Sequence, residues 1–140
     1  MADVGAAIRQ YIVGRTAVSA LISTRMFPDA LPQNATMPAV TYSKISTTHQ
    51  HTISRLAGLA SCRIQFDCYA LTRSASNTIA QTIQQCGVIP LRGLTNGVDI
   101  RGVELVDGET TFMEPPTDGS QELRYVNSFD LMVHYQEGEG

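Results

Sequence analysis

The 140-residue chain has no tryptophan, one lysine and only three cysteines, and charged residues make up just 16% of it. Each shortage excludes something. A typical soluble domain carries about 25% charged residues, so much of this surface is neutral. Charge is depleted in the cores of protein interfaces, which points to a surface covered in an assembly. The ten basic residues are scattered from Arg9 to Arg124 and the net charge is −3. A phosphate-binding surface needs clustered basic side chains, so specific nucleic-acid binding is not expected. No stretch approaches the roughly 20 apolar residues of a membrane span. The opening MADVGAAIRQYIVGR lacks the basic, apolar and cleavable parts of a signal peptide, and a cytoplasmic site of synthesis is expected. Cys62, Cys68 and Cys86 fit reduced thiols better than a disulfide framework.

What is present suffices for one core. Hydrophobic residues make up 43% of the chain, its length is that of one ordinary domain, and no repeat or boundary divides residues 1–140. Val4, Ala7, Ile8, Tyr11 and Ile12 form one stripe of an amphipathic helix, with Asp3 as a possible cap. Gly14 interrupts it, and Val18, Leu21 and Ile22 suggest further helical turns. The proline-rich segment 25–38 reads as a surface loop, and AVTYSKIS after it reads as a strand.

In SCRIQFDCYA, Cys62, Ile64, Phe66, Cys68 and Ala70 alternate with polar residues and Tyr69, which predicts a strand with one buried face. Ala75, Ile79, Ile83 and Cys86 then give the inward stripe of a helix, capped by Thr72 or Ser74 and stopped at Gly87. Beyond the turn signal Asn96-Gly97, apolar positions change parity from Val98 and Ile100 to Val103 and Leu105, which predicts a β-bulge at Gly102. A last strand places Leu123, Tyr125, Phe129, Leu131, Val133 and Tyr135 on one face, before a frayed tail at 136–140. The expected architecture is a single α+β domain. It has a four-stranded, mainly antiparallel sheet, with an N-terminal helix and one central helix packed on one face. Long connections are expected at 25–38, 47–59 and 110–121.

Few residues suggest chemistry. His49 and His51 would share a face on a strand, but a metal site needs a third ligand, and the nearby run offers none before Cys62. His134 alternates outward. Cys62 and Cys68 lie about 20 Å apart on one strand, at about 3.3 Å per residue, too far to share a metal or a disulfide. They read as buried small hydrophobes. No nucleophile elbow, Cys/His pair or phosphate-cradling glycine loop is present. No catalytic, cofactor-binding or metal-ligating residue is assigned. The long, charge-poor stretch STTHQHTISRLAGLA could be a metal site, a catalytic loop, a linker or an arm. Its apolar anchors Ile53, Leu56 and Leu59 favour an arm that orders against a neighbouring subunit.

One combination of segments is more specific. Phe27, Pro28, Leu31, Pro32 and Gln33 lead into Pro38-Ala39-Val40-Thr41-Tyr42. A strand bearing Arg63, Gln65, Asp67, Cys68, Tyr69 and Ala70 then runs straight into a helix. This order resembles the tail completion or tail terminator family of siphophages and related prophages, with Tyr69 where related sequences often have Trp. The resemblance implies an α+β subunit of a hexameric ring that caps the tail tube, ends its growth and meets the head–tail connector. Implied partners are further copies of the chain, the tail tube protein and the connector protein, with genome DNA passing the lumen unbound and no membrane involved. The implied location is the virion at the head–tail interface, and the host cytoplasm during assembly. It implies no catalytic residue and no cofactor. On this reading His49, His51, Ile53, Arg55 and Leu56 are candidate subunit or lumen contacts, and Phe112, Met113 and Glu114 candidate tail or connector contacts. A different connector or minor tail protein, or a small enzyme or ligand-binding domain, are the alternatives.

Overall fold

The computed structural model describes residues 4–32, 35–51, 56–88, 93–95, 98–114 and 124–136. Helix α1 (Val4–Val13) buries Val4, Ala7, Ile8 and Ile12, as its stripe predicts. It stops at Gly14, and α2 (Thr16–Ile22) follows, burying Val18 and Ile22. Helix α3 (Arg73–Thr82) is capped by Thr72, whose hydroxyl oxygen accepts the Ala75 amide at 3.1 Å. The helical backbone does not stop at Gly87. It widens into a π-helical turn, Ile83–Val88, that packs against α1 and α2, so tertiary contact overrides the glycine signal.

The sheet has six strands, not four. They are β1 (Met26–Pro28), β2 (Ala39–His51), β3 (Leu56–Ala70), β4 (Gly93–Thr95), β5 (Val98–Glu114) and β6 (Arg124–Gln136), in the order β1-β2-β3-β6-β5-β4. Every pairing is antiparallel except β1 with β2. The two additional strands are three residues each, too short to carry a period. β1 also lies inside the segment expected to be loop, and its Pro28 is tolerated because β1 is an edge strand. Arg9 of α1 holds that segment by donating to the carbonyls of Met26 (2.9 Å) and Thr24 (3.2 Å), and Arg25 donates to that of Pro38 (2.8 Å).

Two other expected loops contain strand. In 47–59, Thr47 pairs with Cys62, Thr48 with Ser61, His49 with Ala60 and His51 with Leu56. The β2–β3 hairpin thus continues well past the residues that first suggested strands. Within 110–121, residues Thr110 to Glu114 pair with β6. The bulge near Gly102 is present, with the register shift between Ile100 and Gly102.

One cluster joins the helices to one face of the sheet. Cys62, Ile64, Phe66, Cys68 and Ala70 of β3, Phe129, Leu131 and Val133 of β6, and Ile100 and Val103 of β5 meet Ile8, Ile12, Ile22, Ile79 and Ile83. At its centre Phe66 and Phe129, paired across β3 and β6, stack with centroids 5.3 Å apart and planes 11° apart.

Candidate functional site

The face of the sheet opposite the helices carries the polar alternates of β3 and β6. Ser61, Arg63, Gln65 and Asp67 are half-buried there, and Arg63 donates to Asp130 at 2.7 Å. Next to that ion pair lies a constellation that sequence reasoning missed. The Ser61 hydroxyl is 2.7 Å from Nδ1 of His134, and Nε2 of His134 is 2.7 Å from Oε1 of Glu104. The three residues come from β3, β6 and β5. Only the register brings them into one row, so no local motif could reveal them.

A hydroxyl, an imidazole and a carboxylate in line are the parts of an activated nucleophile. An acyl-transfer site also needs unspent donors aimed at a developing oxyanion. β3 and β6 are interior strands with partners on both sides, so the amides beside Ser61 and His134 are spent in ladders. Glu104 is also largely exposed. The arrangement is therefore a polar tie across three strands, and His134 faces outward as its parity predicts.

A second polar network sits beneath α3. The Asn127 amide donates to Oδ1 of Asn77 (2.8 Å) and to Oε2 of Glu109 (2.6 Å), and Thr111 donates to the same Asn77 oxygen (3.1 Å). Asn127 lies on the helix-facing side of β6, opposite Cys68, where the pattern of the last strand had suggested only apolar residues. The buried amide nitrogen is satisfied there, whereas its Oδ1 is buried without a hydrogen-bond partner among the described residues.

Cys62 and Cys68 are free and buried. Burial pushes the Cys68 thiol well above its ordinary range, and the charges of Asp67 and Glu109 add to the effect. Two outcomes are expected. Neither thiol reacts with a disulfide reagent until the protein is unfolded. Above the ordinary thiol pKa, near 8.5, the folded chain holds a proton that the unfolded chain releases, so this group lowers stability as pH rises. Comparing alkaline denaturation of the parent and Cys68→Ala checks the sign, since the variant should lose part of that slope.

The structure brings some of the proposed contact residues together and separates others. His49 and His51 lie near the end of β2 with a register shift between them, and Leu56 opens β3 opposite His51. Ile53 and Arg55 lie outside the described residues. Among the described residues no three His, Cys, Asp or Glu are grouped to hold a metal ion. Phe112 and Met113 are exposed near the end of β5, and Glu114 closes that strand opposite Arg124. Because adjacent strand residues point to opposite faces, Phe112 and Met113 do not form one patch. Ile45 and Leu105 are also exposed and were not singled out from sequence.

Comparison with known proteins gives the context for this geometry. The family model described as "Tail completion protein gp17" matches residues 6–117. A search of curated proteins found no match. Among solved structures, a chain from "Virion of native gene transfer agent (GTA) particle" superposes with a TM-score of 0.69 at 10% identity. The match covers 95% of this chain and 94% of that one, a likeness of fold. Most of the chain, including α3 and the proline-rich segment ahead of β2, falls within the family match, and the chain belongs to the tail completion protein family, a structural family of bacteriophage tails.

Proposed function

We propose that the chain is the subunit of a ring at the head-proximal end of a phage tail tube, which ends tube growth and joins the tail to the head connector. The observation that carries this reading is the family match over residues 6–117. The low charge fraction supports it, since a ring subunit covers neutral flanks. Six copies, the tail tube protein and the connector protein are the partners of this reading. The subunit would act in the virion after assembly in the host cytoplasm. The weakly acidic chain suits a lumen that genome DNA crosses without sticking. In this arrangement the β2–β3 hairpin, with His49, His51, Ile53, Arg55 and Leu56, reaches the lumen or a neighbouring ring. Phe112, Met113 and Glu114 meet the tail or the connector.

Electron microscopy of particles from a virus with an early stop codon in this gene tests the reading. Tubes of uncontrolled length beside filled, unjoined heads are the expected result. Tubes of normal length that fail to join would move the protein to another joint of the virion. Normal particles would discard a virion role and return attention to ligand binding or catalysis.

A further inference from the structure

The two sides of the sheet are left open in a complementary way. β1 pairs with β2 only at Val40, Thr41 and Tyr42, and β4 pairs with β5 only at Val98, Asp99 and Ile100. Among the described residues, no strand pairs with the outer side of β2 beyond Tyr42 or of β5 beyond Ile100. Long open edges template pairing with another chain, and proteins normally blunt them with charge or very short strands. Here the short strands β1 and β4 cover only one end of each edge and leave the rest open. Of the five large apolar side chains exposed among the described residues, Ile45 lies on the open part of β2, and Leu105, Phe112 and Met113 lie on that of β5.

Charge and register say what covers these edges. β2 carries Lys44, His49 and His51 and no acid, whereas β5 carries Asp99, Glu104, Asp107, Glu109 and Glu114 against one arginine. The cross-sheet rows are continuous. Lys44 pairs with Ile64, Ile64 with Leu131 and Leu131 with Leu105, and the next row runs Ser46, Arg63, Met132, Glu104. Exposed Leu105 on one side of the sheet therefore shares a row with Lys44, beside exposed Ile45, on the other. β2 and β5 also run in opposite directions, because each step from β2 through β3 and β6 to β5 is antiparallel. Rotation about an axis along the strands preserves strand direction, so β5 of one copy would meet β2 of the next antiparallel, with complete ladder geometry.

We propose that the open edge of β5, around Gly102–Val106, pairs with the open edge of β2, around Ser43–Thr48, in a second copy of this chain. The contact is heterologous, so repetition gives a ring where the rotation between copies closes. It brings exposed Leu105 of one copy to the level of Lys44 and exposed Ile45 of the next. Thr110 and Thr111 share rows with Thr41 and Val40, where β1 occupies the β2 edge, and Phe112–Glu114 lies beyond the contact. This inference rests on the ring reading above and specifies its subunit interface.

Two measurements on assembled tails test it. In the first, the stop-codon virus is complemented with an Ile45→Cys/Leu105→Cys chain and its particles are treated with a short bismaleimide linker. The parent protein treated alike controls for native cysteines. The double variant should give a ladder of covalent oligomers, and each single variant should stay monomeric. Capped tails with a monomeric double variant would overturn the edge contact and leave the ring reading standing. A dimer from Leu105→Cys alone would mean a two-fold contact and overturn the proposal. Absence of the chain from tails would sink both the ring reading and the contact. The second measurement uses the parent protein and avoids any folding defect. Outward amides at Ser43–Thr48 and Gly102–Val106 should exchange about tenfold or more slowly in tails than in the free chain, and equal rates there would overturn the contact.

Discussion

Phe66→Ala is expected to lower stability by about 3–5 kcal/mol, the usual range for an aromatic removed from a closed core. Phe66 and Phe129 are 0% and 1% exposed and stack on each other across the middle of the sheet. A cavity there has little means of collapsing. Both backbones belong to interior strands held by ladders on each side, and α3 rests on the same two strands. Loss of the ring pair itself adds about 0.5–1.5 kcal/mol to the burial effect. With no tryptophan to report unfolding, far-UV circular dichroism during urea denaturation is the suitable measurement. A loss below about 1 kcal/mol, more typical of a surface change, would contradict the packing described. Phe66→Leu keeps most of the volume and should cost well under half as much.

Shortening the β2–β3 hairpin should have the reverse profile, with a large effect on assembly and a small one on folding. His49 and Ala60 are register partners, so replacing residues 50–59 with Asn-Gly would join them through a two-residue turn matched to strand twist. Among the described residues the core cluster draws on β3 from Cys62 onward, and thermal unfolding should stay near that of the parent. Complementation with this variant should give no more joined particles than the stop-codon control. A normal yield of joined particles would remove the hairpin from any role in the ring or its lumen. Because the shortened chain retains Ser43–Thr48, this result is separable from failure of the edge contact.

Some of this fold was legible before any coordinates. β3 announced itself because Cys62, Ile64, Phe66, Cys68 and Ala70 face one core, and burial on one face is what writes a period of two into a strand. The α1 stripe, the Thr72 cap and the parity change near Gly102 were readable because each is a local requirement. The hairpin beyond Ser46 was not read as strand, because STTHQH has no apolar alternation to betray the ladder. β1 and β4 are three-residue strands whose existence depends on a distant partner. Asn127 broke the apolar pattern of β6 because its amide nitrogen finds acceptors on Asn77 and Glu109, far away in sequence. The same holds for the site. Phe112 and Met113 were singled out only as candidate contacts under the family resemblance. Ile45 and Leu105 acquired meaning only when the register placed them in neighbouring positions at opposite edges.

The strand order has a consequence for how the chain is made. β6, the last of the six strands to be synthesised, lies between β3 and β5, which precede it. Neither can finish its side of the sheet until β6 arrives, and the pairing of Ser61 with His134 closes a loop containing most of the chain. Sheets dominated by such distant pairings fold in milliseconds to seconds. Until then the nascent chain presents bare edges on its most apolar strand, β3, and on β5. Under the proposed ring reading, subunits would therefore mature individually before they recognise one another, and folding would be separated from ring closure in time.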